Sequence, residues 1–413
     1  MTISLCLIVK DEAANLPRCL DSAAAIVDEI VVVDTGSTDA TVDIAAAHNA
    51  RVFSIDWPND FAAARNVSLS HATGDWVLVL DADEVLDGEV GQQLQQIDRG
   101  QPQQGIESAN LLAVNLLRQE IGATQAPYTL ITRFFRRLPT IQFFRLYHET
   151  VDDSIAALQQ QHPRWQVLTL DQVGIYHTGY DPEVVIQRDK FSRAQSLMEL
   201  HLQRYPQDPY ILNKLAALYL EQNQSEAALS LLNRALDQHE ALDALTGYEL
   251  YYHRALALRH DHPDQAAKDY IQALQQNVPP RLKLGALINF GNLKKSQGHL
   301  LEAISLFQQA IDADPSLAMA YYNLGLAQRL RGYLDEAITA YRQAIALSPY
   351  YAEAHQNLGV ALFKLGKLPE AIQSFGHAAQ IYEKTSPARA ESLKQKVKTL
   401  GIPATLLARS YFE

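Results

Sequence analysis

Carboxylate side chains follow three predicted strands near the N-terminus, at the point where each strand ends. Asp11 and Glu12 come just after "ISLCLIV", Asp34 ends "EIVVVD", and Asp81 and Asp83 follow "WVLVL". Because ligands of doubly wound sheets bind beyond the carboxyl ends of the strands, we expect these side chains to share one pocket. Carboxylates in one pocket raise one another's pKa unless a cation or hydrogen-bond donors compensate them. A divalent cation held by one or two carboxylates and by substrate phosphates would do so.

The elements that must position these acids alternate between strand and helix over roughly the first 120 residues. Four apolar runs, "ISLCLIV", "EIVVVD", "RVFSI" and "WVLVL", are separated by segments with apolar residues at helical spacing. Runs that are apolar without alternation are typical of strands covered on both faces. The pattern therefore predicts an α/β domain with a doubly wound, mostly parallel sheet.

Simpler interpretations of the acids stay open at this point. A single acidic turn after a strand is common, and Asp34 alone could cap a helix. Ser37, Thr38 and Asp39 are more typical of helix caps than of ligand contacts. The segment after the first strand, "LIVKDEAANL", has no glycine, which excludes the dinucleotide site that needs a Gly-rich turn there.

The composition excludes some classes of protein. The chain has 413 residues, so more than one domain is expected. Its net charge is −12, which argues against a general nucleic-acid binder. Two cysteines, Cys6 and Cys19, fit buried thiols in a reducing compartment. No apolar run reaches the length of a membrane span. We expect a cytoplasmic protein with no transmembrane segment and leave a peripheral membrane association open.

The C-terminal half is predicted to be helical and repeats itself every 34 residues. Glycine, alanine and aromatic residues recur at this interval, which places small residues where two helices cross and an aromatic ring between them. The recurring rows are Gly291, Gly325 and Gly359; Gly298, Gly332 and Gly366; Ala303, Ala337 and Ala371; Phe307, Tyr341 and Phe375; and Ala310, Ala344 and Ala378. These rows resemble the tetratricopeptide (TPR) repeat, with two degenerate copies upstream. The resemblance implies five helix pairs in an all-α solenoid, and its concave face is expected to bind a peptide or protein, either the acceptor or another partner.

The N-terminal motifs, taken in order, resemble family 2 glycosyltransferases of GT-A fold. The residues that carry this resemblance are "SLCLIVKDEAANLPRCLDS", "DEIVVVDTGSTDATVDIA", "DFAAARN" and "GDWVLVLDADE", within residues 1–180. The resemblance implies transfer of a sugar from a nucleotide-diphosphate sugar donor to a protein, peptide or glycan acceptor, usually with inversion at the anomeric carbon. The donor sugar and the acceptor are not encoded in these motifs.

The resemblance also implies roles for the residues around the nucleotide. Asp34 is expected to bind the base or ribose of the donor, and Asp11 and Glu12 to line the same nucleotide-sugar site. Many family members have Asn at the position of Asp11. Arg65 of "AARN" is expected to contact the base or to balance the nearby acids, with a purely structural pairing to Asp34 as the alternative.

A metal site is implied at the D-x-D motif. Asp83 is expected to bind Mn²⁺ or Mg²⁺ directly, and Asp81 to reach either the metal or the donor ribose. His177 of "IYHTGY" is the expected third metal ligand, with a buried structural histidine as the alternative. Glu84 is expected either to support the metal ligands or to be exposed. The cation would neutralise the diphosphate leaving group as the sugar bond breaks.

The segment "FFRRLPTIQFFRLYHE" resembles the family's loop that ends in His-Glu. An inverting transfer needs a base that takes the acceptor's proton, and Glu149 is the expected catalytic residue. Asp152 and Asp153 are its competitors, and His148 is a weaker candidate. Arg145 stands where the family pattern usually shows Gly, which leaves the geometry of this loop open.

Four arginines, Arg133, Arg136, Arg137 and Arg145, lie in the same segment. Their simplest interpretation is a solvated face, and the alternative is binding of phosphate or of the acceptor.

The predicted organisation is a GT-A domain over 1–180, a linker helix over 181–205, TPR-like repeats over 206–385 and a C-terminal capping helix and tail over 386–413. Two other functions stay open. One is a TPR scaffold whose glycosyltransferase-like domain is inactive, and the other is a nucleotidyltransferase, which "KDEAANL" disfavours because it lacks a Gly-rich loop.

Overall fold

The structure is a computed structural model that describes residues 2–123, 127–178, 186–237 and 242–407. The chain divides into two compact units, Met1–Ala241 and Leu242–Glu413. The first unit contains a mixed α/β sheet domain and three helices, and the second is built of helices alone. The prediction of an α/β domain followed by an all-α repeat domain is confirmed.

Four parallel strands form the first half of the sheet, in the order β3-β2-β1-β4. Val31, Val32, Val33, Val77 and Leu78 are fully buried, which explains why these strands read as continuous apolar runs. The elements are β1 (Ile3–Val9), α1 (Leu16–Ala23), β2 (Glu29–Asp34), α2 (Thr41–Ala47), β3 (Arg51–Ser54), α3 (Phe61–His71) and β4 (Trp76–Val79). The carboxyl ends of β1, β2 and β4 therefore lie at one edge, as the three acidic motifs predicted.

The second half of the sheet is mixed, and the chain returns through it with antiparallel neighbours. The full order is β3-β2-β1-β4-β7-β6-β8-β5, in which β7 is antiparallel to β4 and β6, and β5 is antiparallel to β8. The elements are β5 (Glu84–Leu86), α4 (Gly88–Asp98), β6 (Leu111–Glu120), β7 (Tyr128–Arg136), α5 (Asp152–Gln161) and β8 (Gln166–His177), with a 3₁₀ turn at Ser108–Asn110.

The strand register in this half brings distant residues side by side. His177, at the end of β8, pairs with Glu84 on β5 and with Glu120 on β6. Because neighbouring strands lie about 4.8 Å apart, the side chains of His177 and Glu120 reach each other although 57 positions separate them in the chain. This register places His177 next to the D-x-D motif.

Three helices complete the first unit: α6 (Ile186–Arg204), α7 (Pro209–Glu221) and α8 (Ser225–Leu236). Ala194, Met198, Ile211 and Leu215 form a buried cluster between α6 and α7. The start that we predicted for the linker helix, near Asp181, lies outside the described residues.

Helix pairs make up the second unit. They are α9 (Ala244–Leu258) with α10 (Pro263–Gln275), α11 (Leu284–Ser296) with α12 (Leu300–Ala313), α13 (Ala318–Arg331) with α14 (Leu334–Leu347), and α15 (Ala352–Lys364) with α16 (Leu368–Thr385). The helix α17 (Pro387–Thr399) follows, and short 3₁₀ turns occupy Pro280–Lys283 and Ala404–Leu407. Together with α7 and α8, the described residues contain five helix pairs.

The 34-residue rows have a direct steric reason. Gly325 lies against the ring of Tyr341, and a Cβ at this glycine would come within 2.7 Å of the ring. Gly291 and Gly359 meet Phe307 and Phe375 in the same way, at 2.5 and 2.7 Å. The recurring alanines are fully buried where the helices cross; they are Ala303, Ala337, Ala371, Ala310, Ala344 and Ala378. Gly298, Gly332 and Gly366 have φ between 74° and 95° at the turns between the helices, a region that favours glycine.

Across the described parts of the chain, none of the helices combines the length and the apolar character that a bilayer crossing requires.

Candidate functional site

A continuous chain of ion pairs occupies the edge of the sheet beyond β4. Acidic and basic side chains alternate along it, each paired with the next, and we call this set the charge chain. In order, its members are Glu149, Arg65, Asp81, Arg133, Glu84, Arg118, Glu120, His177 and Asp83. The structure thus brings together four of the predicted site residues, Arg65, Asp81, Asp83 and His177, with the predicted base, Glu149.

Arg65 is the link between the D-x-D motif and Glu149. It lies in α3, whose N-terminus is capped by Asp60, and its side chain is only 5% exposed. Nε donates to Oε1 of Glu149 at 2.5 Å, and Nη2 donates to Asp81. Burial alone would lower the pKa of Arg65, but the charges of Asp81 and Glu149 raise it above its ordinary value. The pairing with Asp34 considered from sequence is replaced by these two contacts.

Asp81 is neutralised by arginines. Besides Arg65, Nη2 of Arg133 donates to its Oδ2 at 2.7 Å. Burial would raise the pKa of Asp81, but the charges of Arg133 and Arg65 hold it well below its usual range. The acids at the strand ends predicted a compensating cation. For Asp81, two arginines of the protein provide this positive charge.

Glu84 is buried, so the expectation that it might be exposed is wrong. Its Oε2 accepts from the backbone N–H of Asp81 at 2.9 Å, and its Oε1 accepts from Arg118 at 2.9 Å and Arg133 at 3.3 Å. A carboxylate with no exposed surface requires such partners, because burying it alone would be very costly. Glu84 therefore fixes the turn that presents Asp81 and Asp83.

His177 connects two carboxylates at the far end of the charge chain. Its Nδ1 lies 2.5 Å from Oε2 of Glu120, and its Nε2 lies 3.1 Å from Oδ2 of Asp83. Burial opposes the protonated form, but the hydrogen bonds to Asp83 and Glu120 raise the pKa of His177 to about 10. Arg118 holds Glu120 in place at 2.7 Å. His177 is thus held between two carboxylates, and its role as a metal ligand stays a prediction.

The predicted metal ligands divide into two groups. Asp83 and His177 face each other, and their carboxylate oxygen and imidazole nitrogen are of the types that bind Mn²⁺ or Mg²⁺. Asp81 instead has both oxygens bound to guanidinium groups. Among the described residues, no group of three or more His, Cys, Asp and Glu side chains is arranged to hold a metal ion unaided. The donor set fits a cation that takes further oxygens from a phosphorylated ligand.

The loops after β1 and β2 are tied to each other. The N–H of Asp11 donates to Ser37 Oγ at 2.9 Å, and its carboxylate accepts from the N–H of Thr38 at 2.7 Å. The N–H of Glu12 donates to Thr41 Oγ1 at 2.7 Å. Ser37 and Thr38 therefore brace Asp11 in its left-handed backbone conformation, φ 53°, and are not helix caps.

Asp34 ends β2 and is buried to 4% exposure. Its carboxylate accepts from the N–H of Gly36 at 3.1 Å and of Ser37 at 3.2 Å. These contacts fold the turn after β2 around the acid, and the helix-cap alternative does not apply because α2 begins only at Thr41. Asp39 is the residue that bonds the first turn of α2, through the N–H of Thr41 at 2.9 Å.

Glu149 lies in an irregular loop between β7 and α5, with its side chain 10% exposed. Its two competitors begin α5: Asp152 accepts a hydrogen bond from Thr132, and Asp153 binds Arg145. His148 is exposed, and its ring packs edge-on against Tyr147 at 4.7 Å. Of these four candidates, Glu149 is the one in the charge chain.

The solvated-face interpretation of the four arginines is wrong for two of them. Arg133 and Arg145 are each 8% exposed, and both are held by carboxylates. Arg136 is half-buried between the rings of Trp76 and Trp165. Only Arg137 has the expected exposure.

Two members of the charge chain, Arg118 and Glu120, were not predicted from the sequence. Both lie near the end of β6, "LLAVNLLRQE", two positions apart, so they project from the same face of the strand. Two opposite charges at this spacing in an otherwise apolar strand are the signal that could have identified them.

Comparison with known proteins confirms the two family resemblances. The family model described as Glycosyl transferase family 2 matches residues 4–134. Models of the TPR repeat match 291–330 and 327–366, and a tetratricopeptide repeat model matches 352–385.

Three individual proteins illustrate the similarity. A TPR repeat-containing protein of Synechococcus elongatus is 42% identical over 315 residues, which is 76% of each chain. The glycosyltransferase SunS of Bacillus subtilis is 27% identical over 253 residues, 59% of this chain and 57% of SunS. A crystal structure of YrrB, described as a TPR protein with an unusual peptide-binding site, is 19% identical and covers 49% of this chain and all of YrrB, with a TM-score of 0.39. The chain is therefore a TPR repeat-containing protein whose N-terminal domain belongs to glycosyltransferase family 2.

Proposed function

We propose that this protein is a metal-dependent, inverting glycosyltransferase that moves a sugar from a nucleotide-diphosphate donor to an acceptor. The observation that carries the proposal is the charge chain, which joins the D-x-D motif to a carboxylate suited to act as a base. Arg65 connects Asp81 to Glu149 directly, so the donor end and the base end of the site form one structural unit. An ion-pair network with a purely structural role also shifts the pKa values of its members. The binding and turnover experiments distinguish a catalytic role from a structural one.

At the donor end, Asp34, Asp11 and Glu12 stand at the carboxyl ends of β1 and β2. Ligands of open α/β sheets bind at this edge. We assign the nucleotide to it, with Asp34 toward the base or ribose and Asp11 and Glu12 lining the pocket. The hydrogen bonds between the two loops hold this pocket in shape before the donor arrives.

At the metal end, Asp83 and His177 would hold Mn²⁺ or Mg²⁺, and the diphosphate would supply further oxygens. When bound, the cation supplies charge neutralisation to the diphosphate leaving group. Glu120 fixes the His177 ring by accepting from Nδ1, so that Nε2 points at Asp83. Asp81 holds this turn to Arg65 and Arg133 and contacts the donor ribose.

At the acceptor end, Glu149 is the assigned base. Arg65 occupies Oε1, so we assign the proton to Oε2. Glu149 takes the proton of the acceptor's nucleophilic group as that group bonds to the anomeric carbon, and the bond from that carbon to the diphosphate oxygen breaks on the opposite face. The nucleoside diphosphate carries away the electron pair, and the anomeric configuration inverts.

The TPR repeats are the assigned protein-binding part of the chain. Stacked helix pairs present an extended concave surface, which suits a peptide or a protein partner. We propose that this surface binds either the acceptor or a protein that brings the enzyme to it.

A thermal-shift screen of nucleotide sugars, with and without Mn²⁺, identifies the donor, because a ligand that binds the folded state raises Tm by mass action. Release of nucleoside diphosphate from the hit then measures turnover. We expect Glu149→Gln to keep the donor-induced shift and to lose turnover by about 10²–10⁴-fold.

Asp152→Asn is the matched control for Glu149→Gln, and we expect it to turn over faster than Glu149→Gln. A larger loss in Asp152→Asn would transfer the base role to Asp152. If calorimetry detects no nucleotide binding to the metal-loaded protein, the glycosyltransferase proposal is wrong, and a TPR scaffold with an inactive domain becomes the better description.

A further inference from the structure

The loop that presents Glu149 runs from Phe144 to Thr150, and we call it the base loop. A pair of backbone hydrogen bonds between Phe144 and Thr150, at 2.9 and 3.2 Å, closes it. The carbonyl of Leu146 accepts from the N–H of Phe61 at the start of α3, at 3.1 Å. The loop has no helix or strand of its own, so its shape depends on what its side chains contact.

Arg145 has an unusual backbone in this loop. Its φ is 89°, in the region that glycine adopts freely and other residues avoid. A disfavoured conformation of this kind persists only where surrounding contacts impose it. The backbone hydrogen bonds of the loop are one source of such contacts, and the side chain of Arg145, which is 7% exposed, is another.

The guanidinium of Arg145 binds two carboxylates from two different elements. It forms a fork on Asp153 in α5, with Nη1 to Oδ2 at 2.5 Å and Nη2 to Oδ1 at 3.2 Å. Nε donates to Oδ2 of Asp208 at 2.8 Å. It also lies over the rings of Phe144, at 5.2 Å, and Tyr210, at 4.7 Å. The base loop is thereby fastened to α5 and to the start of α7.

Asp208 is itself fixed by the helices that follow the α/β domain. It is the N-cap of α7, where it accepts from the N–H of Tyr210 at 3.0 Å, and it accepts from Nε2 of His201 in α6 at 3.0 Å. Burial would raise the pKa of Asp208, but the hydrogen bond from His201 and the charge of Arg145 lower it below its ordinary value. The Asp208 carboxylate is therefore charged and fixed at the position where Arg145 binds it.

A second row of contacts joins the same elements. Tyr147 of the base loop packs on the buried cluster between α6 and α7, and its ring meets Phe61 edge-on at 5.4 Å. Arg193 of α6 lies over Trp57, at 4.9 Å, and over Phe61, at 5.5 Å. The helices α6 and α7 thus support both the base loop and the start of the helix that carries Arg65.

We infer that Arg145 is a positioning residue for Glu149, and that Asp153 together with Asp208 at the start of α7 forms the socket that holds it. The inference rests on the proposed function, because it concerns the same transfer reaction. It makes the helices α6 and α7, which follow the α/β domain, a part of the catalytic unit. The base keeps its place beside Arg65 only while the socket is intact.

Arg145→Gly is the informative variant. Glycine accepts φ 89° without strain, so the variant removes the side-chain contacts without adding a steric clash, and it also gives the loop more backbone freedom. Arg145→Lys keeps the charge but loses the planar fork. The matched control is Arg254→Lys in the second unit, where Arg254 forks onto Asp269 with two hydrogen bonds of 2.8 Å.

Two measurements on the full chain decide the matter. In hydrogen exchange, peptides covering 144–150 should exchange faster in Arg145→Gly, while peptides covering β1 should keep the wild-type rate. In steady-state assays with the donor found by the screen, kcat should fall by about 10²-fold, the cost of a misplacement of about 1 Å. KM for the donor should stay within about 2-fold, since Arg145 has no assigned contact with the donor.

Arg254→Lys should match the wild type in both measurements. Glu149→Gln should cost less in the Arg145→Gly background than in the wild type, because the two residues act on one step. Wild-type kcat and wild-type exchange in Arg145→Gly would overturn the positioning role while leaving the glycosyltransferase proposal intact. A wild-type protein that binds no nucleotide would overturn both.

Discussion

Arg65 lies directly between Asp81 and Glu149, so that one guanidinium serves the first acid of the D-x-D motif and the proposed base. Nε approaches Glu149 at 2.5 Å, and Nη2 binds Asp81. The three side chains come from α3, from the end of β4 and from the base loop. A single cation therefore binds two acids, Glu149 with 10% and Asp81 with 30% of its side chain exposed, and it fixes the distance between them.

We expect Arg65→Gln to destabilise the fold strongly. Removing one partner of a buried ion pair costs about 3–5 kcal/mol; here Glu149, 10% exposed, loses the guanidinium of Arg65, whereas Asp81 keeps Arg133. The free energy of unfolding from urea titration measures this loss. The control is Arg342→Gln, which breaks an exposed pair with Glu370 and should cost less than about 1 kcal/mol. Equal losses of unfolding free energy in the two variants would show that the buried pair stabilises the fold no more than the exposed pair does.

Glu120 should matter for metal affinity although it is not an assigned ligand. It orients the His177 ring through Nδ1, and loss of such a support typically lowers metal affinity by about 10–100-fold. We expect this weakening for Mn²⁺ in Glu120→Gln, measured by calorimetry in the presence of the nucleoside diphosphate, and a larger one in Asp83→Asn. Glu107→Gln, at an exposed position, is the control. Unchanged Mn²⁺ affinity in Asp83→Asn would remove the metal site from this end of the charge chain.

The first half of the fold could be predicted because its signals are local. Each strand from β1 to β4 is a short apolar run between helical segments, and parallel strands buried on both faces leave that pattern. The later strands were not predicted. β7, "YTLITRFFR", carries polar residues through its middle and pairs with β4 across more than 50 positions, and β8 is 12 residues long with charged and polar residues among apolar ones. Their pairing is decided by tertiary contacts.

Only part of the site could likewise be predicted from the sequence. The acids were identified because they follow strands directly, and Glu149 and His177 because their motifs resemble a family. Their partners could not be found from local pattern, since Arg133 lies 52 positions from Asp81 and Arg65 lies 84 from Glu149. Arg145 shows the same limit. From the sequence, Arg145 could be identified only as a departure from the Gly of the family pattern. The structure shows that its backbone is left-handed and that its side chain binds Asp153 and Asp208.

Glu29 gives the first unit a stability that should depend on pH. Its carboxylate accepts hydrogen bonds from Ser4 at 2.5 Å, from the N–H of Thr73 and from Arg51 at 2.9 Å. Partial burial opposes ionisation, but these bonds lower the pKa of Glu29 from 4.5 to about 2. A depressed carboxyl pKa stabilises the folded state above about pH 4.5, and that contribution is lost as the pH falls toward 2.

We therefore expect Glu29→Gln to be less stable than the wild type by about 1 kcal/mol at pH 7, after allowance for solvent screening. Urea unfolding at pH 7, 5 and 3 should show the same difference at the first two values and a smaller one at the third. Glu107→Gln should show no such trend. A difference that grows on acidification would contradict the assignment.

The helical repeats offer a test of steric fit at Gly325. Alanine favours a helix interior by about 1 kcal/mol over glycine, which by itself would stabilise α13. A Cβ at this position, however, would come within 2.7 Å of the Tyr341 ring, which is fully buried, so that the ring or the backbone would have to shift. Overpacking of this kind costs about 1–3 kcal/mol, so the net effect of Gly325→Ala should be destabilising.

Gly247→Ala is the matched control in the same unit. Its Cβ would meet only the amide end of Gln276, at 3.2 Å, which can swing away. Native-state hydrogen exchange measures Gly325→Ala in peptides from α13 and α14 and Gly247→Ala in peptides from α9 and α10, because each repeat is stabilised by its neighbours and local opening is resolved along the chain. We expect faster exchange in Gly325→Ala and unchanged or slower exchange in Gly247→Ala. Since the clash is with one ring, Tyr341→Leu should reduce the cost of Gly325→Ala, whereas a clash with backbone would leave that cost unaltered.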